Sequence, residues 1–311
     1  MKKYILSVLP ILALALSFTG CSDDNKIEKE SIITADSYVM NDFDKWLELN
    51  YVLPYNISFK YRYEEIESDL NYYTVPAKME NSIKMANLVK YLCIETYDEV
   101  AGADFTRAYF PKMFFLIGEF EYRNNGTMIL GTAEGGRKIL LAGINNLTDE
   151  VCANPEALNH YYIKTIHHEF THILNQTRDF PTSFKEVTGN KYVADSWSDA
   201  PFDGAKVFPK RGFITAYAQM EAREDFAEMV SEYITHDAAW WETQLKNAEG
   251  TYEDDPDQTI SGRTFIEQKL DIVRAYMHDA WGIDMDELRD VVMRRQNDIA
   301  KGRIDLNNIK L

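Results

Sequence analysis

Apolar side chains recur at helical spacing in the middle of the chain, between residues 158 and 174. Steps of three and four residues place them on one face of an α-helix. Asn154 precedes Pro155, and an asparagine N-cap followed by a proline in the first turn is a typical helix start. The pattern therefore predicts a helix that begins near residue 155. Its apolar stripe consists of Leu158, Tyr162, Ile166, Phe170, Ile173 and Leu174.

The segments on either side of this helix predict an α+β fold. Residues 37–110 have a mostly helical pattern. Three apolar runs separated by glycine-containing turns then predict a β-meander just before the helix. These runs are 113–119, 127–132 and 139–142. Further helices are predicted at 216–235, 262–278 and 285–301.

This order of elements predicts a small sheet that precedes the central helix and a mainly helical C-terminal lobe. We place one domain at 37–311, with possible lobes at 37–176 and 177–311. Residues 180–213 contain three prolines and three glycines and show no sustained periodicity. Such a segment could form one wall of a substrate cleft.

A metal-binding motif lies on the predicted central helix. His168, Glu169 and His172 form the pattern H-E-x-x-H. A helix turns about 100° per residue, so the two histidines lie one turn apart on one face and can bind a single ion. Glu169 lies beside them, where its carboxylate can take a proton from water. The motif predicts one Zn²⁺ ion held by both histidines, with Glu169 as the general base.

A catalytic zinc site needs a third protein ligand, and a glutamate is a common one. Glu224 and Glu228 are four residues apart on the predicted helix 216–235 and share one face. We predict Glu224 as the third ligand and Glu228 as the acceptor for the outer N–H of a ligating histidine. Other carboxylates could replace Glu224, although aspartates in such segments are more often turn residues. These alternatives are Asp195, Asp199 and Asp203.

The remaining histidines are predicted to have other roles. His160 and His167 lie seven residues apart on a helix face that is rotated away from the motif. For both we expect solvent exposure or contact with a metal-ligating residue, and not ligation of the metal itself. His236 and His278 end predicted helices, where a charged imidazole favours the negative end of the helix dipole, so a structural role is expected.

The N-terminus has the features of a secretory signal. Lys2 and Lys3 precede an apolar run at 4–18, and Gly20 precedes Cys21. The run is short for a membrane span, and a small residue directly before cysteine resembles a bacterial lipobox. We predict a lipoprotein signal peptide at 1–20, lipidation of Cys21 and a polar tether at 21–36; an ordinary signal peptide is the alternative.

Charge excludes some classes of partner. The chain has a formal net charge of −17, and without residues 1–20 it would carry 31 basic and 50 acidic residues. Such an acidic surface argues against nucleic acid as a substrate and against direct adhesion to anionic lipid. An acyl anchor would then hold the protein at a membrane. Cys93 and Cys152 lack zinc-ligand spacing and are expected to be buried thiols, although one disulfide is possible.

The motif residues carry a family resemblance. H-E-x-x-H followed by a helix that contains Glu224 and Glu228 resembles the gluzincin zinc peptidases. The chain more closely resembles the zinc-binding metallopeptidase lipoproteins of Bacteroidota, also called substrate import-associated zinc metallohydrolase lipoproteins. This resemblance implies a zincin-like fold, in which an edge strand pairs with extended substrate. It also implies that Tyr217, seven residues before Glu224, stabilises the transition state.

The expected function is zinc-dependent hydrolysis of peptide or glycopeptide amide bonds. The resemblance implies an outer-membrane lipoprotein beside a nutrient importer, and the acidic residues after Cys21 resemble a signal for export to the cell surface. Two alternatives stay open. The protein could be a zinc-dependent amidase on a small nutrient, or an inactive lipoprotein that captures substrate. An intact Glu169 argues against the inactive protein, because a purely structural zinc site needs no base.

Overall fold

The structure is a computed structural model that describes residues 39–68, 71–72, 74–122, 126, 128–129, 131–134 and 138–311. The predicted signal peptide, Cys21 and the predicted tether lie outside the described residues. Residues Asn41–Leu311 form one unit by their internal contacts, and all elements below belong to it. The proposed division into two lobes stays a prediction.

The first part of this unit is mainly helical, as predicted, with one strand inside it. The helices are α1 (Asp42–Leu47), α2 (Leu53–Tyr55), α3 (Met79–Leu88), α4 (Glu95–Ala101) and α5 (Ala103–Tyr109). Wider π-helical turns, Glu48–Val52 and Val89–Ile94, join α1 to α2 and α3 to α4. The strand β1 (Ser58–Lys60) was not predicted, because only Phe59 of its three residues is buried and such a run is too short for a strand pattern.

A four-stranded sheet follows, and it is not the predicted meander. Its order is β1-β2-β6-β5, with β2 (Met113–Leu116), β5 (Gly131–Glu134) and β6 (Lys138–Leu141). β2 pairs in parallel with β1 and β6, whereas β5 pairs antiparallel to β6. β3 (Glu121–Tyr122) and β4 (Met128–Ile129) form a separate antiparallel pair. The continuous apolar runs of β2 and β6 are buried on both faces, which is typical of parallel strands.

The predicted central helix is confirmed. The Asn154 side chain accepts hydrogen bonds from the backbone N–H groups of Glu156 and Ala157, and Pro155 occupies the first turn. The helix runs from α7 (Pro155–Leu158) through a π-helical turn, Asn159–Ile163, into α8 (Lys164–Thr177). A short helix, α6 (Asp149–Ala153), precedes it. The edge strand β5 contacts α8.

After α8, the described chain forms helices and no further strands. They are α9 (Thr182–Thr188), α10 (Ala222–Thr235), α11 (Ala238–Asn247), α12 (Gly262–Trp281) and α13 (Met285–Ala300). The predicted helix at 216–235 begins later, because Tyr217–Gln219 forms a 3₁₀ turn and Glu221 is extended. α10 packs along α8. Within the described residues, no helix has both the length and the apolar character needed to cross a membrane.

Candidate metal centre

The packing of α10 along α8 brings the three predicted ligands together. The Nε2 atoms of His168 and His172 lie 3.1 Å apart. Oε2 of Glu224 lies 3.0 Å from the first and 3.3 Å from the second. His168 and His172 are one turn apart on α8, and Glu224 is in the first turn of α10. These three residues form a cluster that could hold a metal ion.

The spacing of these atoms fits zinc. Zinc–nitrogen and zinc–oxygen bonds are about 2.0–2.1 Å, so tetrahedral ligand atoms lie about 3.3 Å from one another. The observed separations are 3.0–3.3 Å. Two imidazoles and one carboxylate are also a standard donor set of catalytic zinc sites, which leave the fourth position open. The predicted backup ligands Asp195, Asp199 and Asp203 are not part of this cluster.

The electrostatics of the cluster follow from burial and close contact. Burial alone would lower the pKa of His168, but hydrogen bonds to Glu224 and Glu228 raise it to about 10. Burial would raise the pKa of Glu224, yet hydrogen bonds from His168 and His172 hold it well below its usual range. The cluster thus combines a charged imidazole with an ionised carboxylate, and a cation that enters must displace a proton.

Glu228 contacts His168 from the other side. Its Oε1 lies 2.8 Å from Nδ1 of His168, and the carboxylate is almost fully buried. The Lys164 ammonium lies 3.1 and 3.2 Å from its two oxygens, and the Thr215 hydroxyl donates to Oε2 at 2.7 Å. Lys164 also contacts Glu232 at 3.1 Å. These groups compensate the buried charge of Glu228 and hold its pKa well below its usual range despite burial.

The groups around Glu228 were not predicted from the sequence, although helical spacing would have allowed their prediction. Lys164 lies four residues before His168, and Glu232 lies four residues after Glu228. Each pair therefore shares a helix face. The stripe of polar residues on α8 thus faces a stripe of polar residues on α10, and the spacing that suggested Glu228 could also have suggested Lys164.

Glu169 and Tyr217 both lie at the cluster. Glu169 is half-buried and lines a pocket of about 220 Å³ together with His172 and Glu224. The Tyr217 ring lies 6.0 Å from the His168 ring, measured between centroids. Trp197 packs edge-on against Tyr217, with ring centroids 5.0 Å apart. Trp197 belongs to the segment that was predicted to wall the cleft, and that role stays a prediction.

The expectation for His167 was wrong. Its side chain is fully buried, and its Nδ1 lies 3.0 Å from the hydroxyl oxygen of Tyr97. Burial lowers the pKa of His167 to about 3, so the ring is neutral and belongs to the core. Cys93 lies beside it at 4.0 Å, and both Cys93 and Cys152 are buried free thiols rather than a disulfide.

Two comparisons with known proteins identify the family of the chain. The sequence profile of a family described as "Putative zinc-binding metallo-peptidase" matches residues 36–286. A crystal structure described as "a putative zinc-binding metallo-peptidase from Bacteroides caccae" has a TM-score of 0.71 and 39% sequence identity, covering 90% of this chain and 100% of that chain. No curated protein matches. The chain belongs to this family of zinc-binding metallopeptidases.

Proposed function

We propose that the protein is a zinc-dependent peptidase that hydrolyses peptide or glycopeptide amide bonds at the bacterial cell envelope. The observation that carries the proposal is the convergence of His168, His172 and Glu224, whose ligand atoms lie 3.0–3.3 Å apart. The carboxylate of Glu169 lines the pocket beside them. Membership of the family supports the same chemistry.

The chain's own residues would divide the reaction between them. His168, His172 and Glu224 would hold one zinc ion. The chemistry that zinc supplies when bound is Lewis acidity, which polarises the scissile carbonyl and makes water a nucleophile at neutral pH. Glu169 accepts the proton of the attacking water as its oxygen bonds to the carbonyl carbon. The same carboxylate then gives this proton to the leaving amine as the C–N bond breaks.

Tyr217 would stabilise the charge that develops on the carbonyl oxygen. A positioned phenol can donate a hydrogen bond to this oxygen, and the bond is stronger in the transition state than in the bound substrate. The support for this role is that the Tyr217 ring lies 6.0 Å from the ring of the proposed ligand His168, measured between centroids. Packing against Trp197 restricts the ring further.

The sheet supports an extended peptide as substrate. β5 is an edge of the described sheet and contacts α8, which carries both histidines. A free strand edge can bind an extended chain through main-chain hydrogen bonds. We therefore propose that substrate lies along β5 (Gly131–Glu134) and reaches Glu169 from there.

The cellular location belongs to the same proposal. A signal peptide at 1–20 and a lipid on Cys21 would anchor the enzyme in the outer membrane, facing the cell surface, where a nutrient importer would take up its products. The support is in the sequence, namely the apolar run before Gly20 and Cys21 and the acidic residues after it. Replacement of Cys21 by alanine should release the protein from the membrane fraction.

The test is zinc content and cleavage of a peptide library by residues 22–311 and three variants. We expect Glu169→Gln to keep zinc and lose activity, and Glu224→Ala to lose zinc. Asp195→Asn is the matched control, since it changes an exposed carboxylate outside the cluster, and it should keep zinc. Zinc binding without cleavage of any peptide would favour the amidase on a small nutrient or the inactive binding lipoprotein. A wild-type protein without zinc would contradict the proposal.

A further inference from the structure

We propose that the side-chain amide of Asn175 binds a main-chain peptide group of the substrate in the pocket beside the metal centre. The inference rests on the proposed function, because it concerns the same substrate. Asn175 is only 7% exposed, and among the described residues neither its Nδ2 nor its Oδ1 has a hydrogen-bond partner. A buried amide with both ends unpaired is rare in folded proteins and requires an explanation.

The position of Asn175 links this amide to the reaction. Residues 168, 172 and 175 follow one another at steps of four and three, so Asn175 continues the stripe of the two histidines by one further turn of α8. Asn175 is one of the residues that line the pocket shared by Glu169, His172 and Glu224, and its two amide atoms are buried beneath the pocket surface. A group bound to Asn175 would therefore lie next to the carboxylate that is proposed to act as the base.

Only a neutral ligand can form hydrogen bonds with both polar atoms of the Asn175 amide. An anion could use only Nδ2, which donates, and a cation could use only Oδ1, which accepts. Anions are also disfavoured, because carboxylates outnumber guanidinium groups in the pocket. Its acidic and guanidinium side chains are those of Asp179, Glu221, Glu169, Glu224 and Arg223. A peptide group offers one N–H and one C=O and can satisfy both ends of the amide.

The stability that the protein loses through the unpaired amide of Asn175 supports a functional role for this residue. An unpaired buried amide destabilises the folded protein, whereas an apolar side chain of similar size would not. Sites that lower stability in this way are expected where substrate binds, since the ligand supplies the missing partners. The proposal therefore predicts opposite effects of one substitution on stability and on substrate use.

The first test measures both effects in Asn175→Leu. We expect the Tm of the metal-free variant to rise by about 2–4 °C, because the unpaired amide is removed. We expect zinc content to stay the same and the KM for a cleaved peptide to rise about tenfold, as one or two hydrogen bonds to substrate are lost. Asn175→Ala is measured alongside, so that a poor fit of leucine is distinguished from loss of the amide. Gln176→Leu, which changes an exposed amide, is the control for Tm only and should give no rise.

The second test identifies the contact itself. Each amide bond of a cleaved peptide, except the scissile one, is replaced in turn by an ester, which lacks the N–H. We expect wild type to lose about tenfold in kcat/KM at the position that donates to Asn175. Asn175→Leu should be insensitive at this position and keep the wild-type response at the others.

The outcomes separate this inference from the proposed function. If wild type cleaves peptides but both variants lower Tm, or respond to every ester as wild type does, Asn175 makes no substrate contact and only this inference fails. That result would also fit an amide satisfied by water alone. If wild type holds zinc and cleaves no peptide, the proposed function fails and the inference fails with it.

Discussion

Oε1 of Glu228 lies 2.8 Å from Nδ1 of His168, on the opposite side of the ring from the Nε2 atom that faces Glu224. A carboxylate at this place holds the proton of a neutral imidazole on Nδ1 and leaves the Nε2 lone pair for a metal ion. Lys164 keeps this carboxylate ionised although it is buried. The Glu228 carboxylate therefore favours the tautomer of His168 that carries its proton on Nδ1.

Glu228→Gln should weaken zinc binding about 10- to 100-fold, because the amide cannot stabilise positive charge on His168 as the carboxylate does. Competition with a chelator of known affinity measures the effect. Glu232→Gln is the matched control, since Glu232 shares Lys164 with Glu228 at 3.1 Å and has no ion pair with His168. Equal losses in both variants would contradict a specific role of Glu228.

Zinc binding should release a proton from His168. In the metal-free protein its pKa is about 10, because hydrogen bonds to Glu224 and Glu228 outweigh the effect of burial. A protonated imidazole cannot bind zinc, so the apparent affinity should rise about tenfold per pH unit between pH 6 and 9. Calorimetry in buffers of different ionisation enthalpy counts the released protons, and we expect about one at pH 7.5. A value near zero would mean that His168 is already neutral.

The same raised pKa predicts how the metal-free protein responds to alkali. A group with a raised pKa in the folded state stabilises that state fully below its unfolded pKa, about 6.5 for histidine. This contribution is lost as pH rises through the folded pKa, about 10 for His168. The free energy of unfolding without zinc should therefore decrease from pH 6.5 to 10, as urea titrations would measure. The decrease should be smaller in Glu228→Gln, which removes one cause of the shift.

The candidate metal cluster was more predictable from the sequence than the groups around it. His168, His172, Glu224 and Glu228 could be chosen because ligand spacing on a helix is fixed by its 3.6-residue period. The capping of the central helix by Asn154 depends on local geometry and was also predictable.

Other features depend on contacts between segments that are distant in sequence, and the periodicity of the sequence gives no information about such contacts. β1 joins β2 in parallel across more than fifty residues, so its three residues become a strand only through this pairing. The burial of His167 depends on Tyr97 and Cys93 from another helix segment. Asn175 lies on the predicted helix, but its unpaired amide is visible only where the pocket forms.

Tyr217→Phe should lower kcat about 10²- to 10³-fold and leave KM and zinc content nearly unchanged. The substitution removes one hydroxyl, and a hydrogen bond to the developing oxyanion is realised mainly in the transition state. Steady-state kinetics on a peptide cleaved by wild type measures both constants. Tyr252→Phe is the control, because the Tyr252 hydroxyl contacts Asp254 at an exposed site. A rise in KM alone would instead indicate that Tyr217 only binds substrate.

A buried ion pair anchors the helix that carries Glu224. Nζ of Lys269 on α12 lies 2.5 Å from Oδ2 of Asp225, and both side chains are fully buried. The ammonium also donates to the Gly212 carbonyl at 2.9 Å and lies 4.0 Å from the centre of the Phe213 ring. Burial lowers the pKa of Lys269 and raises that of Asp225, so each charge depends on the other.

Lys269→Met should therefore lower the free energy of unfolding by about 3–5 kcal/mol, because it leaves the charge of Asp225 buried without a partner. Urea denaturation of the metal-free protein measures this loss. The double variant Lys269→Met, Asp225→Asn should recover a large part of it, since asparagine has no charge to compensate and can still accept from Tyr192. Lys45→Met removes an exposed ion pair with Asp42 and should change stability by less than about 1 kcal/mol. Additive losses in the double variant would show that the two charges do not depend on each other.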